Sequence, residues 1–137
     1  MRDSLAKKYL EQVRKDYDLI ADDFSETRSK HPWPEMFSLS EQFVRAGDRV
    51  LDVGCGNGRL ITTLPAGINY LGVDSSRNLI ERAKEKFPQH EFLVGDTLDL
   101  SLLGTTEFDA VFLIAVLHHI PSEKYRLQAL QQIHKHL

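Results

Sequence analysis

The sequence predicts an α/β fold built on a parallel, doubly wound sheet. Three observations carry this. From residue 49 onward, short aliphatic runs alternate with stretches of helical periodicity, the pattern of repeated βαβ units with right-handed crossovers. The run 110–117 is apolar at every position, as a central parallel strand buried on both faces is. Arg49-Val50-Leu51-Asp52-Val53 runs directly into glycines at 54, 56 and 58 and then into a helix pattern. Strand, glycine turn and helix together bring a backbone close to a nucleotide-like ligand.

The elements follow in order. Ser4 reads as an N-cap, and apolar residues recur at helical spacing from Leu5 to Val13. Tyr17, Ile20, Ala21 and Phe24 fall on one helix face. Pro32-Trp33-Pro34 breaks any helix, because proline lacks the N–H and restricts the residue before it. Residues 36–44 read as a short helix stopped by Gly47. Strands are expected over 49–53, 70–73, 91–94 and within 108–117, with helices at 58–64 and 76–87. A last helix begins near Pro121, with Tyr125, Leu127, Leu130 and Ile133 recurring along it.

Length and composition set the frame. At 137 residues the chain makes one domain, and 42% hydrophobic with 27% charged residues is ordinary for a globular protein. The longest apolar run is far shorter than the roughly 20 residues a membrane span needs. Met1-Arg2-Asp3-Ser4 opens no apolar h-region, so no secretion signal is expected. Cys55 is the only cysteine, which rules out an internal disulfide and makes a reducing, cytoplasmic setting the expectation. A net charge of -3 offers no broad basic field for nucleic acid.

The glycines carry the chemistry. A dinucleotide fingerprint, G-x-G-x-x-G, fails here because its sixth position is Arg59. The observed pattern is Asp52-x-Gly54-x-Gly56-x-Gly58. Asp74 follows the second strand, about 20 residues on, where a carboxylate accepts hydrogen bonds from ribose hydroxyls. Gly95-Asp96-Thr97 ends the third strand and aims another acid at the same sheet edge. Each acid alone is also a plain turn or N-cap residue; their convergence on the carboxyl ends of successive strands is what points to a ligand.

These motifs resemble one family. Val50-Leu51-Asp52-Val53-Gly54-Cys55-Gly56-Asn57-Gly58 resembles motif I of class I S-adenosylmethionine-dependent methyltransferases. Leu71-Gly72-Val73-Asp74-Ser75-Ser76, Phe108-Asp109-Ala110-Val111 and Leu117-His118-His119 are similar to its later motifs. A narrower resemblance lies N-terminal: Tyr17-Asp18-x-Ile20-Ala21-x-x-Phe24-Ser25-x-Thr27-Arg28, then Trp33-Pro34, is similar to the tRNA methyltransferases that esterify carboxymethyluridine at the wobble position. The resemblance implies a Rossmann-like sheet carrying S-adenosylmethionine, with residues 1–47 as a helical cap and 48–137 as the cofactor half. It implies that Gly54, Cys55 and Gly56 approach the methionine and ribose, Asp74 with Ser75 takes the ribose diol, and Asp96 with Thr97 faces the adenine. Backbone at Ile114 and Ala115 would meet the methionine amino group. Tyr17 and Arg28 would close over cofactor and substrate, against the plainer readings of core packing for Tyr17 and a solvated charge for Arg28. Trp33, His118 and His119 are the candidate substrate contacts. Adjacent histidines at a strand end point opposite ways, so no shared metal is expected. Cys55 reads as a small filler, and His134 and His136 as solvated.

Family members have seven strands, and only four are placed here. The fourth would then be a long apolar edge, a template for pairing with another chain. The expectation is a truncated or naturally short form that dimerises through this edge. The tRNA enzymes it resembles often use a small zinc-binding activator. Two alternatives stay open: methylation of a small molecule, and a half-domain that binds S-adenosylmethionine without catalysis.

Overall fold

Val50, Leu51 and Val53 alternate between the two faces of one strand, and each is fully buried. A strand buried on both faces needs helices on both, and this requirement fixes the architecture. The computed structural model describes residues 2–28 and 32–137, the side chains of 25–28 excepted. Four strands, β1 (Arg49–Val53), β2 (Asn69–Asp74), β3 (Glu91–Val94) and β4 (Ala110–Phe112), form one parallel sheet in the order β3-β2-β1-β4. The chain steps outward from β1 to β3, then crosses back to β4. The sheet therefore reverses direction between β1 and β4, and such a switch point is where open α/β sheets bind ligands.

Helix α1 (Asp3–Leu19), α2 (Ala21–Arg28) and α3 (Pro34–Phe43) precede the sheet; α4 (Arg77–Lys86) joins β2 to β3, and α5 (Glu123–His134) closes the described chain. On one face Met36 of α3 and Ile80 and Ala83 of α4 pack with Val50, Leu60 and Phe92. On the other, Ile133 of α5 packs with Leu51, Val53, Leu100 and Phe108. Fully burying one such side chain stabilises by roughly 1.5–3 kcal/mol. Ser76 caps α4, its Oγ accepting from the Leu79 N–H at 3.2 Å. The same hydroxyl donates to Asp18, and the Asn78 amide donates to the Asp18 carbonyl at 3.0 Å, so α1 is fastened to the start of α4.

Several expectations are corrected. The N-cap is Arg2 rather than Ser4, and Tyr17, Ile20, Ala21 and Phe24 do not share one helix, because Ile20 separates α1 from α2. The helix at 58–64 is a 3-10 turn, Arg59–Thr63. Thr62 and Thr63 donate their hydroxyls to the carbonyls of Arg59 and Leu60, and that local bonding competes with an α-helical ladder. The run 108–117 yields only three strand residues, because β4 pairs with β1 alone, as far as Asp52↔Phe112, and the chain then turns at Ala115 with φ 58. The exposed edge is thus short. On α5 the buried stripe is Tyr125, Ala129 and Ile133, while Leu127 and Leu130 face outward. His136 is buried, not solvated: its Nδ1–H donates to the Thr106 carbonyl at 2.7 Å. Among the described residues no helix is long and apolar enough to cross a membrane.

Candidate functional site

A cavity of about 670 Å³ opens at the switch point, a volume suited to one small ligand. Its floor comes from the loop after β1. Gly54, Gly56 and Gly58 all have positive φ, which L side chains rarely adopt. A Cβ on Gly54 would lie 2.3 Å from Val116 Cγ2, so the loop after β4 packs directly on the glycine backbone. Ala115, also at positive φ, aims that loop; strained backbone of this kind collects at ligand sites.

The acids converge as the spacing predicts. Asp74 accepts the Gly56 N–H at 2.9 Å through Oδ2 and the Ser76 N–H at 2.8 Å through Oδ1. It therefore ties the glycine loop to the start of α4, and each oxygen keeps a lone pair for a further donor. Burial pushes its carboxyl above the usual range, against the pull of those two amides. Ser75 lines the wall beside it. Asp96 and Thr97 follow β3 on the same wall, Asp96 accepting the Leu98 N–H at 2.8 Å. Ile114 and Ala115 line the cavity from the β4 side.

The roof comes from the N-terminal helices and the turn after β4. Tyr17 Oη and His119 Nε2 share a hydrogen bond at 2.8 Å, joining α1 to a 3-10 turn at Leu117–His119. Burial, and then the neighbouring His118, hold His119 below the usual imidazole range. The two histidines do not point apart as strand residues would; the turn sets their rings 4.0 Å apart, and both line the cavity. Trp33 stands at the rim, 39% exposed. Of the candidate residues only Arg28 stays unplaced, since its side chain lies outside the described residues. Cys55 lines the floor but is buried, and burial together with Asp52 and Asp74 drives its thiol well up, which disfavours the thiolate.

Two residues that sequence reading passed over belong here. Asp52, in the middle of β1, is 3% exposed and accepts the Tyr70 hydroxyl at 2.7 Å. Burial pushes its carboxyl to about 7, with Asp74 adding to the rise and the Tyr70 bond and Arg59 opposing it. A single acid inside an aliphatic strand was the available signal. Arg59, next to the last glycine, stacks its guanidinium 4.7 Å over the Trp33 ring. A floor with one buried and one half-buried carboxylate, mutually repelling, suits a cationic ligand, and the glycine cradle with Asp74 suits a ribose. A nucleoside bearing a sulfonium meets both demands.

The family described as methyltransferase domain matches residues 50–137. The tRNA (carboxymethyluridine(34)-5-O)-methyltransferase of Saccharomyces cerevisiae is 38% identical over 131 residues, covering 93% of this chain and 44% of that protein. Its Xenopus tropicalis counterpart, alkbh8, is 38% identical over 90% of this chain and 19% of its own length. The chain thus spans less than half the length of these curated relatives. Among solved structures, a TehB-like SAM-dependent methyltransferase from Corynebacterium glutamicum superposes with a TM-score of 0.69 at 25% identity, over 93% of this chain and 68% of that one. The Haemonchus contortus phosphoethanolamine N-methyltransferase 1 reaches a TM-score of 0.80 at 18% identity, over 100% of this chain and 31% of that one, a likeness of fold alone. The chain belongs to the S-adenosylmethionine-dependent methyltransferases, through a methyltransferase domain matched over residues 50–137.

Proposed function

We propose that this chain methylates a carboxymethyl group on the wobble uridine of tRNA, forming a methyl ester. The observation that carries it is the reach of the 38% identity, which covers 93% of the chain and therefore the cap as well as the cofactor half. The cap roofs the cavity, and a roof is where an acceptor is selected. On this reading residues 1–47 are the cap and 48–137 the cofactor half. Gly54, Cys55 and Gly56 let the backbone meet the cofactor closely, Asp74 and Ser75 hold its ribose, Asp96 and Thr97 face its adenine, and the backbone at Ile114 and Ala115 meets its amino group.

When bound, S-adenosylmethionine supplies an electrophilic methyl, which an acceptor carboxylate oxygen takes as the carbon–sulfur bond breaks with its electron pair left on sulfur. A carboxylate is already ionised near neutral pH, so no side chain has to remove a proton. The protein's task is to align the pair and exclude water. Tyr17, Trp33 and the paired histidines close the cavity from above, with His118 and His119 at the acceptor side. The cytoplasmic setting belongs to the same proposal. So does self-association through the outer edge of β4, which among the described residues pairs only with β1, and sedimentation as a monomer at high concentration contradicts it. The zinc-binding activator is tested by whether adding such a subunit raises turnover.

The test of the main reading is label transfer. The chain, methyl-labelled S-adenosylmethionine and tRNA carrying carboxymethyluridine are expected to give labelled tRNA whose label leaves as methanol in mild alkali. Alkali-stable label contradicts ester formation. Cofactor binding without incorporation favours the non-catalytic half-domain instead.

A further inference from the structure

The cavity wall that follows β3 is held from behind by α5. Gln128 and Gln132 lie one turn apart on that helix, and both are half-buried. Each side-chain amide meets the backbone of the loop after β3. Gln128 Nε2 donates to the Leu98 carbonyl at 2.9 Å. Gln132 Oε1 accepts the Leu100 N–H at 3.1 Å. A carbonyl needs a donor and an N–H needs an acceptor, so the two glutamines work through opposite ends of their amides. The Leu98 side chain packs on the cluster of Ala6, Ile120, Tyr125 and Ala129, and its N–H donates to Asp96 Oδ1 at 2.8 Å. A run of hydrogen bonds thus leads from Gln128, through the backbone of Leu98, to the Asp96 carboxylate, and all three residues line the cavity. Among the described residues no hydrogen bond holds Asp96 Oδ2. A carboxylate oxygen accepts and cannot donate. It gains from an amino group on a nucleobase and repels a carbonyl oxygen at the same place. Asp96 can tell the two apart only if it is held in place, and Gln128 holds the Leu98 backbone to which Asp96 is bonded.

We propose that Gln128 is a positioning residue for nucleobase recognition: by holding Leu98 it sets the Asp96 carboxylate against the amino group of the cofactor's adenine. The proposal rests on the placement of that adenine against Asp96 and Thr97. In the sheet order the end of β3 is the next strand end outward from Asp74, the acid assigned to the ribose, so a base attached to that ribose reaches it.

The test is a binding comparison that does not need turnover. The full chain is titrated with S-adenosylhomocysteine and with S-inosylhomocysteine, which carries an oxygen in place of the amino group. The wild type is expected to prefer the adenosyl ligand by about tenfold or more. Gln128→Met keeps the side-chain length and the helix propensity. It is expected to cut the preference at least about threefold, with inosyl affinity held within about twofold. Gln128→Glu and Gln132→Glu add the same charge one turn apart. The first removes the donor that Leu98 uses and should lose the preference; the second keeps an acceptor for Leu100 and should retain it. Equal weakening of both ligands by Gln128→Met makes the residue structural only and overturns the proposal, as does an unchanged preference, or a like outcome for the two glutamates. Asp96→Ala tells this failure from that of the adenine placement. If Asp96→Ala loses the preference while Gln128→Met keeps it, Gln128 alone is removed. If the wild type has no preference, or Asp96→Ala retains it, the adenine placement falls and the proposal falls with it.

Discussion

Replacing Gly54 with alanine is expected to destabilise the fold by roughly 2–4 kcal/mol and to abolish cofactor binding, the larger part of the stability loss coming from one contact. Gly54 sits at φ 74, where an alanine costs about 1 kcal/mol on backbone grounds. Its Cβ would also lie 2.3 Å from Val116 Cγ2. Val116 is β-branched and stiff at χ1, so it cannot simply swing aside. Gly47 provides the control: it has φ 91, and a methyl added there would meet nothing within 4 Å, so Gly47→Ala isolates the backbone cost. Adding Val116→Ala to Gly54→Ala should recover most of the difference, a coupling that a double-mutant cycle in denaturant titrations reads directly. Equal losses for Gly54→Ala and Gly47→Ala would mean that the β1 and β4 loops are not in contact as described.

Asp52→Asn is expected to stabilise the protein, and to do so far more at pH 8 than at pH 5. Below pH 3.8, the ordinary value, the carboxyl is protonated folded and unfolded, and contributes nothing to pH dependence. Between there and about 7 the unfolded chain has released the proton while the folded chain keeps it, so stability falls as pH rises. Above 7 the loss levels off at roughly 3–5 kcal/mol, at about 1.4 kcal/mol per unit of pKa. Asparagine keeps an acceptor for the Tyr70 hydroxyl and removes the buried charge. The stabilisation at pH 8 should therefore exceed that at pH 5 by roughly 2–3 kcal/mol in thermal or denaturant unfolding. The same acid should serve the cofactor. Affinity of the wild type for the cationic S-adenosylmethionine is expected to rise several-fold from pH 6 to pH 8, with a flatter profile for its neutral-sulfur product, S-adenosylhomocysteine, and for Asp52→Asn with either ligand. A stability gain independent of pH would show that Asp52 is ionised in the folded protein at pH 5 as well as pH 8.

The sheet was legible where local pattern decides structure. β1 and β3 match their aliphatic runs residue for residue, and β2 differs by a residue at each end. The helix expected at 76–87 is α4, with Ser76 standing just outside it as the capping residue. The glycine loop, Asp74 and Asp96 could be read because strand ends in a parallel sheet all face one edge. What stayed hidden depends on partners far along the chain. Nothing in 108–117 says where its neighbour ends, and β4 stops with its pairing to β1. The titration of Asp52 is set by its burial and by Tyr70, which arrives from the neighbouring strand. Arg59 and Trp33 are 26 positions apart, and only folding stacks them. The recurrence of Leu127 and Leu130 was real but marked the outward face, since the inward stripe of α5 runs through Ala129, too small to signal itself.

The central claim is that the glycine loop, Asp74 and Asp96 form one S-adenosylmethionine site. Isothermal calorimetry of the wild type and Asp74→Ala with S-adenosylmethionine and S-adenosylhomocysteine tests it most directly. The wild type should bind each ligand at one site per chain. Asp74→Ala, which removes the acceptor proposed for the ribose and leaves the Gly56 and Ser76 amides without theirs, should lose at least about a hundredfold in affinity, close to 3 kcal/mol, while still unfolding cooperatively. Failure of the wild type to bind at millimolar ligand, or retained affinity in Asp74→Ala, contradicts the site.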